Sequence, residues 1–194
     1  MFKTLAYADI FDYPLTAAEL QRWQITGDNQ DWPVAKTGKF FHLPGRARLV
    51  NLRRQRQRFS QLKWRFARQA ARRLQLIPWI KLICVTGALA MNNSQKNDDV
   101  DLMIVTAKDR LWLTRLKAVV LLGPLLRRGN KINNRVCLNL WLDETSLALP
   151  KTQRNLYTAH EVVQAQPVFE RDNAYDKFIS ANIWYKKYLP NWKI

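Results

Sequence analysis

The apolar residues at the start of the chain, Phe2, Leu5, Ala6, Ile10 and Phe11, fall at the spacing of one helix face, so a helix is expected there until Tyr13-Pro14 stops it. Thr16 followed by Glu19 is a capping-box pattern, in which each side chain meets the other's backbone N–H, and it predicts a second helix over 17–23. Beyond a polar loop at 26–30, residues 39–43 are aromatic and strand-like and Pro44-Gly45 is a turn. Residues 47–52 are either a return strand or the first turn of the next helix.

Apolar positions Leu52, Phe59, Leu62, Phe66, Ala70 and Leu74 then recur at steps of three, four and seven, which predicts one long amphipathic helix stopped by Pro78. Residues 79–86 and 100–106 are β-rich apolar runs with a turn at Gly87 after the first. The stretch 111–126 is a strongly apolar helix, 135–142 a third strand, and 156–165 and 175–188 are helices. Helix, turn, helix and basic hairpin is the order of a winged helix. The expected fold is therefore α+β: a winged-helix-like unit at 1–56, a basic connecting helix at 57–76, a core built on a small mixed β-sheet at 77–150, and flanking C-terminal helices at 151–194.

Charge changes this picture more than composition does. At 47% hydrophobic and 24% charged residues the chain reads as an ordinary globular protein, but 32 Lys and Arg against 15 Asp and Glu give it a net charge of +17. The excess is concentrated. From Trp32 to Asn97 there are 15 basic residues and no acid, and 11 of those basic residues lie between Arg46 and Arg73. Solvated helices commonly alternate sign for pairing one turn apart, so an acid-free arginine face predicts a nucleic-acid partner, RNA or DNA, held through its phosphates. Arg46, Arg48, Arg53, Arg54, Arg58, Arg65, Arg68 and Arg72 are the residues expected to contact it, and Trp32, Trp64 and Trp192 are candidates to stack on bases. Attraction to an anionic membrane surface rests on charge alone. The longest uncharged apolar run, 118–126, is about half of the ~20 residues a spanning helix needs. Asp9 and Asp12 interrupt the place where a secretory signal would be apolar, so a cytoplasmic, soluble protein is expected.

One segment carries candidate chemistry. Thr86-Gly87-Ala88 closes the first apolar run and Asp99-Val100-Asp101 opens the second. Side chains alternate along a strand, so Asp99 and Asp101 share a face while Val100 enters the core. Two carboxylates on one face suit a divalent cation such as Mg²⁺, which takes oxygen ligands and is usually held by one or two carboxylates plus substrate phosphates. A glycine beside them lets backbone N–H groups approach a phosphate closely. Asp98 and Asp143 read as solvated, and His160 reads as a structural histidine with no paired nucleophile. Cys84 and Cys137, inside apolar runs, read as small buried hydrophobes rather than metal ligands.

Strand, glycine turn, roughly ten residues and then Asp-x-Asp make residues 79–142 resemble the polymerase-beta-like nucleotidyltransferase superfamily. Phe-Asp-Tyr-Pro-Leu-Thr near the start, with Tyr-Thr-Ala-His-Glu and Trp-Tyr-Lys-Lys-Tyr-Leu-Pro-Asn near the end, resembles uncharacterised bacterial proteins that carry such a domain. The resemblance implies a nucleotidyltransferase core in which Thr86, Gly87 and Ala88 hold a nucleoside triphosphate. It implies that Asp99 and Asp101 bind Mg²⁺ or Mn²⁺ and that Asn139 completes the catalytic set at the place of a third carboxylate. The implied reaction moves a nucleoside monophosphate from the triphosphate to a hydroxyl on nucleic acid or protein. Two residues depart from the pattern: Ala88 stands where the family has serine, and Asn139 can ligate a metal but cannot accept the nucleophile's proton. Those departures imply the alternative of a catalytically degenerate fold that serves as a nucleic-acid-binding or regulatory module.

Overall fold

Thr16 and Glu19 exchange the hydrogen bonds of the capping box, and helix α2 (Ala17–Arg22) begins there. The computed structural model describes residues 1–28, 33–129 and 132–194, so Trp32 and the end of the 26–30 loop lie outside the described residues. Helix α1 (Phe2–Asp9) precedes α2, with the two-residue strand β1 (Leu15–Thr16) between them. Strands β2 (Ala35–Thr37) and β3 (Phe40–His42) form the hairpin, and β1 joins it to give a small antiparallel sheet in the order β1-β3-β2.

Residues 47–52 resolve in favour of the helix: α3 runs unbroken over Leu49–Leu74, 26 residues or about 39 Å at ~1.5 Å per residue. Its buried stripe is Leu49, Arg53, Arg56, Ser60, Lys63, Ala67, Ala70 and Leu74, at steps of three and four. This corrects the face read from the apolar residues. Leu62 is 45% exposed, while Phe59 and Phe66 are half-buried beside the stripe rather than in it.

The inward cations are accommodated because the terminal nitrogens of each meet acceptors, although Nε of Arg53 and of Arg56 is buried without a partner among the described residues. Arg53 donates to both carboxylate oxygens of Glu19 at 2.9 and 2.6 Å and to the Pro14 carbonyl, with its guanidinium 4.0 Å from the centre of the Tyr13 ring. Arg56 reaches Asp12, the Phe11 carbonyl and Asn93. Lys63 donates to the carbonyls of Lys96 and Asp98 at 3.2 and 2.5 Å and to Asn134 at 3.0 Å. A buried charge costs several kcal/mol unless paired, so these bonds decide which face of α3 turns inward. They also make α3 the strut that joins the N-terminal unit to the loop leading into Asp99.

The larger sheet holds β4 (Ile80–Val85), β5 (Val100–Thr106), β6 (Val136–Asp143) and β7 (Gln166–Glu170) in the order β6-β5-β4-β7, with β5 and β6 parallel and the other pairs antiparallel. Helix α4 (Gly87–Ala90) follows β4, α5 (Leu111–Leu122) links β5 to β6, and α6 (Leu156–Gln164) and α7 (Ala174–Ala181) flank β7. One face of this sheet, with Ile83, Val85, Leu102 and Ile104, packs on the second half of α3 and on Ala118 and Leu122 of α5. The other face, with Leu82, Cys84, Met103 and Val105, is covered jointly by the N-terminal unit and the C-terminal helices. There Leu5, Leu20 and Trp23 share a core with Val162, Phe178 and Trp192. The molecule is thus a mixed α+β structure with two small sheets among the described residues.

Several elements differ from expectation. Strand β7 escapes the pattern because it is a five-residue edge strand carrying Pro167, a residue tolerated only where no ladder N–H is needed. The helix expected over 175–188 breaks at buried Asn182, whose amide donates to the Leu147 and Phe178 carbonyls and accepts from the Leu149 N–H; a 3₁₀ turn (Ile183–Lys187) continues from it. Helix α5 ends at Gly123 and leaves Trp112, Leu116 and Val120 exposed along one side. Trp192 is buried in the core, which removes it as a base-stacking candidate. No helix among the described residues is long and apolar enough to cross a membrane.

Candidate functional site

The glycine turn and the two carboxylates meet where β4 ends and β5 begins. The Thr86 N–H donates to the Asp101 carbonyl at 3.0 Å, which sets Gly87 directly over the Asp101 side chain. Gly87 has φ +62, and a Cβ there would stand 3.1 Å from Asp101 Oδ2, so the position admits glycine on two independent grounds. Ala88 is exposed, and the Thr86 hydroxyl is buried with no hydrogen-bond partner among the described residues.

Asp99, Asp101 and Cys137 bring one ligand atom each to within 4.8 Å of one another, a group that could hold a metal ion. Burial raises the Asp101 carboxyl, the charge of Asp99 raises it further, and a hydrogen bond from the Cys137 thiol opposes both. Burial and the two carboxylates likewise push the Cys137 thiol up. Arg127 donates to Asp99 Oδ2 at 2.8 Å and is the counter-charge of the pair.

Two readings of β6 are corrected here. Cys137, not Asn139, lies opposite Asp101 in the parallel register, because β6 enters the sheet with Val136 against Val100. The register then slips between Leu102 and Met103, and Asn139 falls in the slip, exposed and without a paired residue. Cys137 is accordingly half-buried at the carboxylate pair rather than a core hydrophobe; Cys84 is the buried one. Asp98 caps its own turn by accepting from the Gln95 N–H at 2.7 Å. Asp143 pairs with Thr106 at the far end of the strand and accepts from the Asp109 and Thr145 N–H groups.

A cavity of about 300 Å³ opens beside this turn, between α1 and α6, and Gly87 and Ala88 form part of its wall. From α6 come Tyr157, His160 and Glu161, none of which the sequence pattern marks as functional. Burial raises the Glu161 carboxyl and the charge of Asp101 adds to it, so Glu161 belongs to the same electrostatic neighbourhood as the carboxylate pair. The charge of Glu161, burial and the charge of Asp101 raise Tyr157 in turn.

The arginine face divides in two. Arg48, Arg54, Arg58, Arg65, Arg68 and Arg72 are exposed, and Arg68 stands 5.8 Å over the Trp64 ring at the edge of an open groove of about 550 Å³ that also borders Arg72. Arg53 is corrected to a structural residue, buried on Glu19. Arg46 is likewise engaged, bridging Asp9 at 2.9 Å and Asp12 at 2.8 Å. Trp64 is half-buried and its indole N–H donates to Asn92.

No family model matches the chain, and no curated protein matches it. Among solved structures it is similar to the toxin–antitoxin crystallised with AMP-PNP, at 15% identity and a TM-score of 0.35 over 61% of this chain and 86% of that one. A likeness at that level carries no argument about function.

Proposed function

We propose that the Gly87 turn and the Asp99/Asp101 pair bind a nucleoside triphosphate with a divalent cation and transfer its nucleoside monophosphate to a hydroxyl acceptor, breaking the α–β phosphate bond and releasing pyrophosphate. The observation that carries this reading is the closeness of Gly87 to Asp101 Oδ2, which puts a residue without a side chain against a carboxylate pair. The residues fit a cation: Asp101 is already raised by burial and by its neighbour's charge, a repulsion that a bound Mg²⁺ or Mn²⁺ removes. Asp99 and Asp101 would hold it, and the ion supplies charge neutralisation of the phosphates there. Cys137 is a poor ligand for so hard a cation and serves as a hydrogen-bond donor to Asp101 instead. Gly87 and Ala88 offer backbone N–H groups to the phosphates, and Arg127 offers them a guanidinium alongside. The exposed arginines of α3 would carry a polyanionic acceptor.

Calorimetric titration of Mg·ATP, Mg·CTP, Mg·GTP and Mg·UTP tests the reading. Binding of at least one by the wild type, lost in Asp99→Asn/Asp101→Asn, is the expected result; affinity unchanged by that double substitution refutes it. Labelled nucleotides then test for transfer to RNA, DNA or protein.

A second reading has an observation of its own. With Cys137 at the level of Asp101, no third carboxylate on β6 is positioned to take the proton of an attacking hydroxyl, which favours a nucleotidyltransferase-like module that binds without transferring. Cys137→Asp separates the two: a rate gained only in that variant supports the degenerate module, and transfer by the wild type supports the enzyme.

A further inference from the structure

The cavity between α1 and α6 is electrostatically unlike the rest of the protein. The chain carries 32 Lys and Arg, yet among the described residues none of either lines this space, and its one carboxylate is Glu161. Glu161 makes no hydrogen bond or ion pair among the described residues, in contrast to Glu19, Asp12 and Asp28, which are all engaged. The remaining wall is uncharged and rich in aromatic rings: Tyr7 from α1, Phe11 just beyond that helix, Tyr13, Trp23, and Tyr157 at the rim, 52% exposed. His160, stacked on Tyr7 at 4.1 Å, adds no positive charge at neutral pH, since burial pushes it down to about 4.

We propose that this cavity binds a small organic cation, an ammonium group on an apolar body, with Glu161 as its counter-ion and the aromatic rings as its walls. Aromatic faces attract cations through their quadrupoles, most strongly where water is excluded. An uncompensated carboxylate in an aromatic wall gives that attraction a direction, and Asp101, against the lining residue Gly87, adds the same sign. A neutral aromatic ligand would use the rings but leave Glu161 unpaired; an anion would meet Glu161 and Asp101 without a single lining Lys or Arg to offset them. The volume of about 300 Å³ lies at the lower limit of ligand cavities, which sets the ligand as small. Because Gly87 and Ala88 belong to the wall, a bound cation that carries a hydroxyl sits beside the proposed phosphate site and becomes a candidate acceptor. That extension rests on the transferase reading, whereas the binding itself does not.

Calorimetry on the full chain, without nucleotide, tests the site with choline, benzyltrimethylammonium and phenethylamine as probe cations and dimethylbutanol as the neutral carbon isostere of choline. At least one cation is expected to bind, and choline to bind about tenfold or more tighter than dimethylbutanol. Glu161→Gln, which keeps the shape and removes the charge, should weaken cation binding about tenfold and leave dimethylbutanol unchanged, with near-ultraviolet circular dichroism confirming the fold. Silence from all three cations at millimolar concentration, or equal affinity for choline and its isostere in the wild type, overturns the proposal without reliance on any variant. Mg·ATP titrated into the same preparation keeps the two readings apart. Cation binding without nucleotide binding removes the transferase and leaves this site, and the reverse removes only this site.

Discussion

His160 gives a direct check on how the N-terminal unit and the C-terminal helices share one core. Its ring stacks on Tyr7 at 4.1 Å between centroids and lies 5.9 Å from Trp23, its Nδ1–H donates to the Leu156 carbonyl at 2.9 Å, and only 4% of the residue is exposed. Burial there disfavours the imidazolium and brings the ring down to about 4, with the Leu156 carbonyl recovering a part. A free imidazole titrates near 6.5, so between that pH and about 4 the unfolded chain takes up a proton that the folded protein refuses. Stability contributed by the neutral ring is therefore complete above the upper limit and is lost as pH falls through the window. At ~1.4 kcal/mol per pH unit the loss reaches about 3 kcal/mol at the lower limit.

Other groups titrate nearby, and their signs differ. Glu161 and Asp101 are both raised, first by burial, so their charged forms are a cost at neutral pH that disappears as they protonate; they oppose the His160 effect in part of the same window. For Asp28, hydrogen bonds from the Thr4 hydroxyl and the Thr4 and Lys3 N–H groups outweigh burial and hold the carboxyl at about 2. Its contribution is lost only as pH falls below the ordinary carboxylate range. Comparison with His160→Phe isolates the ring, since phenylalanine keeps the stack and cannot titrate. Urea denaturation above, within and at the foot of the window should show the wild type losing about 3 kcal/mol more than the variant. Losses equal to within about 1 kcal/mol, or an imidazole that NMR shows titrating near 6.5 in the folded protein, would refute the burial argument.

Gly87→Ala forces a left-handed conformation on alanine and sets its Cβ against Asp101 Oδ2; a stability loss of about 1–2 kcal/mol and weakened Mg·ATP binding are expected by denaturation and calorimetry. Arg53→Met leaves Glu19 and the Pro14 carbonyl without their buried partner and should cost ~3–5 kcal/mol, whereas Arg54→Met on the outer face should change stability by no more than about 0.5 kcal/mol. Replacing Arg54, Arg58, Arg65 and Arg72 by Gln should flatten the salt dependence of RNA or DNA affinity, by ~0.9 in slope per phosphate contact for duplex DNA and ~0.7 for single strands. A slope unchanged in that variant would remove α3 as the nucleic-acid surface.

Information carried by neighbours in sequence is legible before folding, which is why the Thr16/Glu19 cap, the turn at Gly87 and the apolar strands β4 and β5 stand where their residues predict. The face of α3 is not of that kind. Apolar periodicity assumes that charge seeks water, and the rule fails when the acceptors of Arg53, Arg56 and Lys63 are supplied from 34, 44 and 35 residues away, beyond any local window. The partner of Asp101 is hidden for a related reason: a parallel register depends on how the intervening helix docks, and the slip beside Leu102 decides between Cys137 and Asn139 without a signal in either strand. The cavity is hidden more deeply still. Its walls come from α1, α6 and the Gly87 turn, which meet only because residues from both ends of the chain cover one face of the larger sheet. Glu161 within Tyr-Thr-Ala-His-Glu looks like one more surface acid of a helix. It becomes an unpaired carboxylate in an aromatic cleft only through that long-range packing, so a test of Glu161 is at the same time a test of the assembled core.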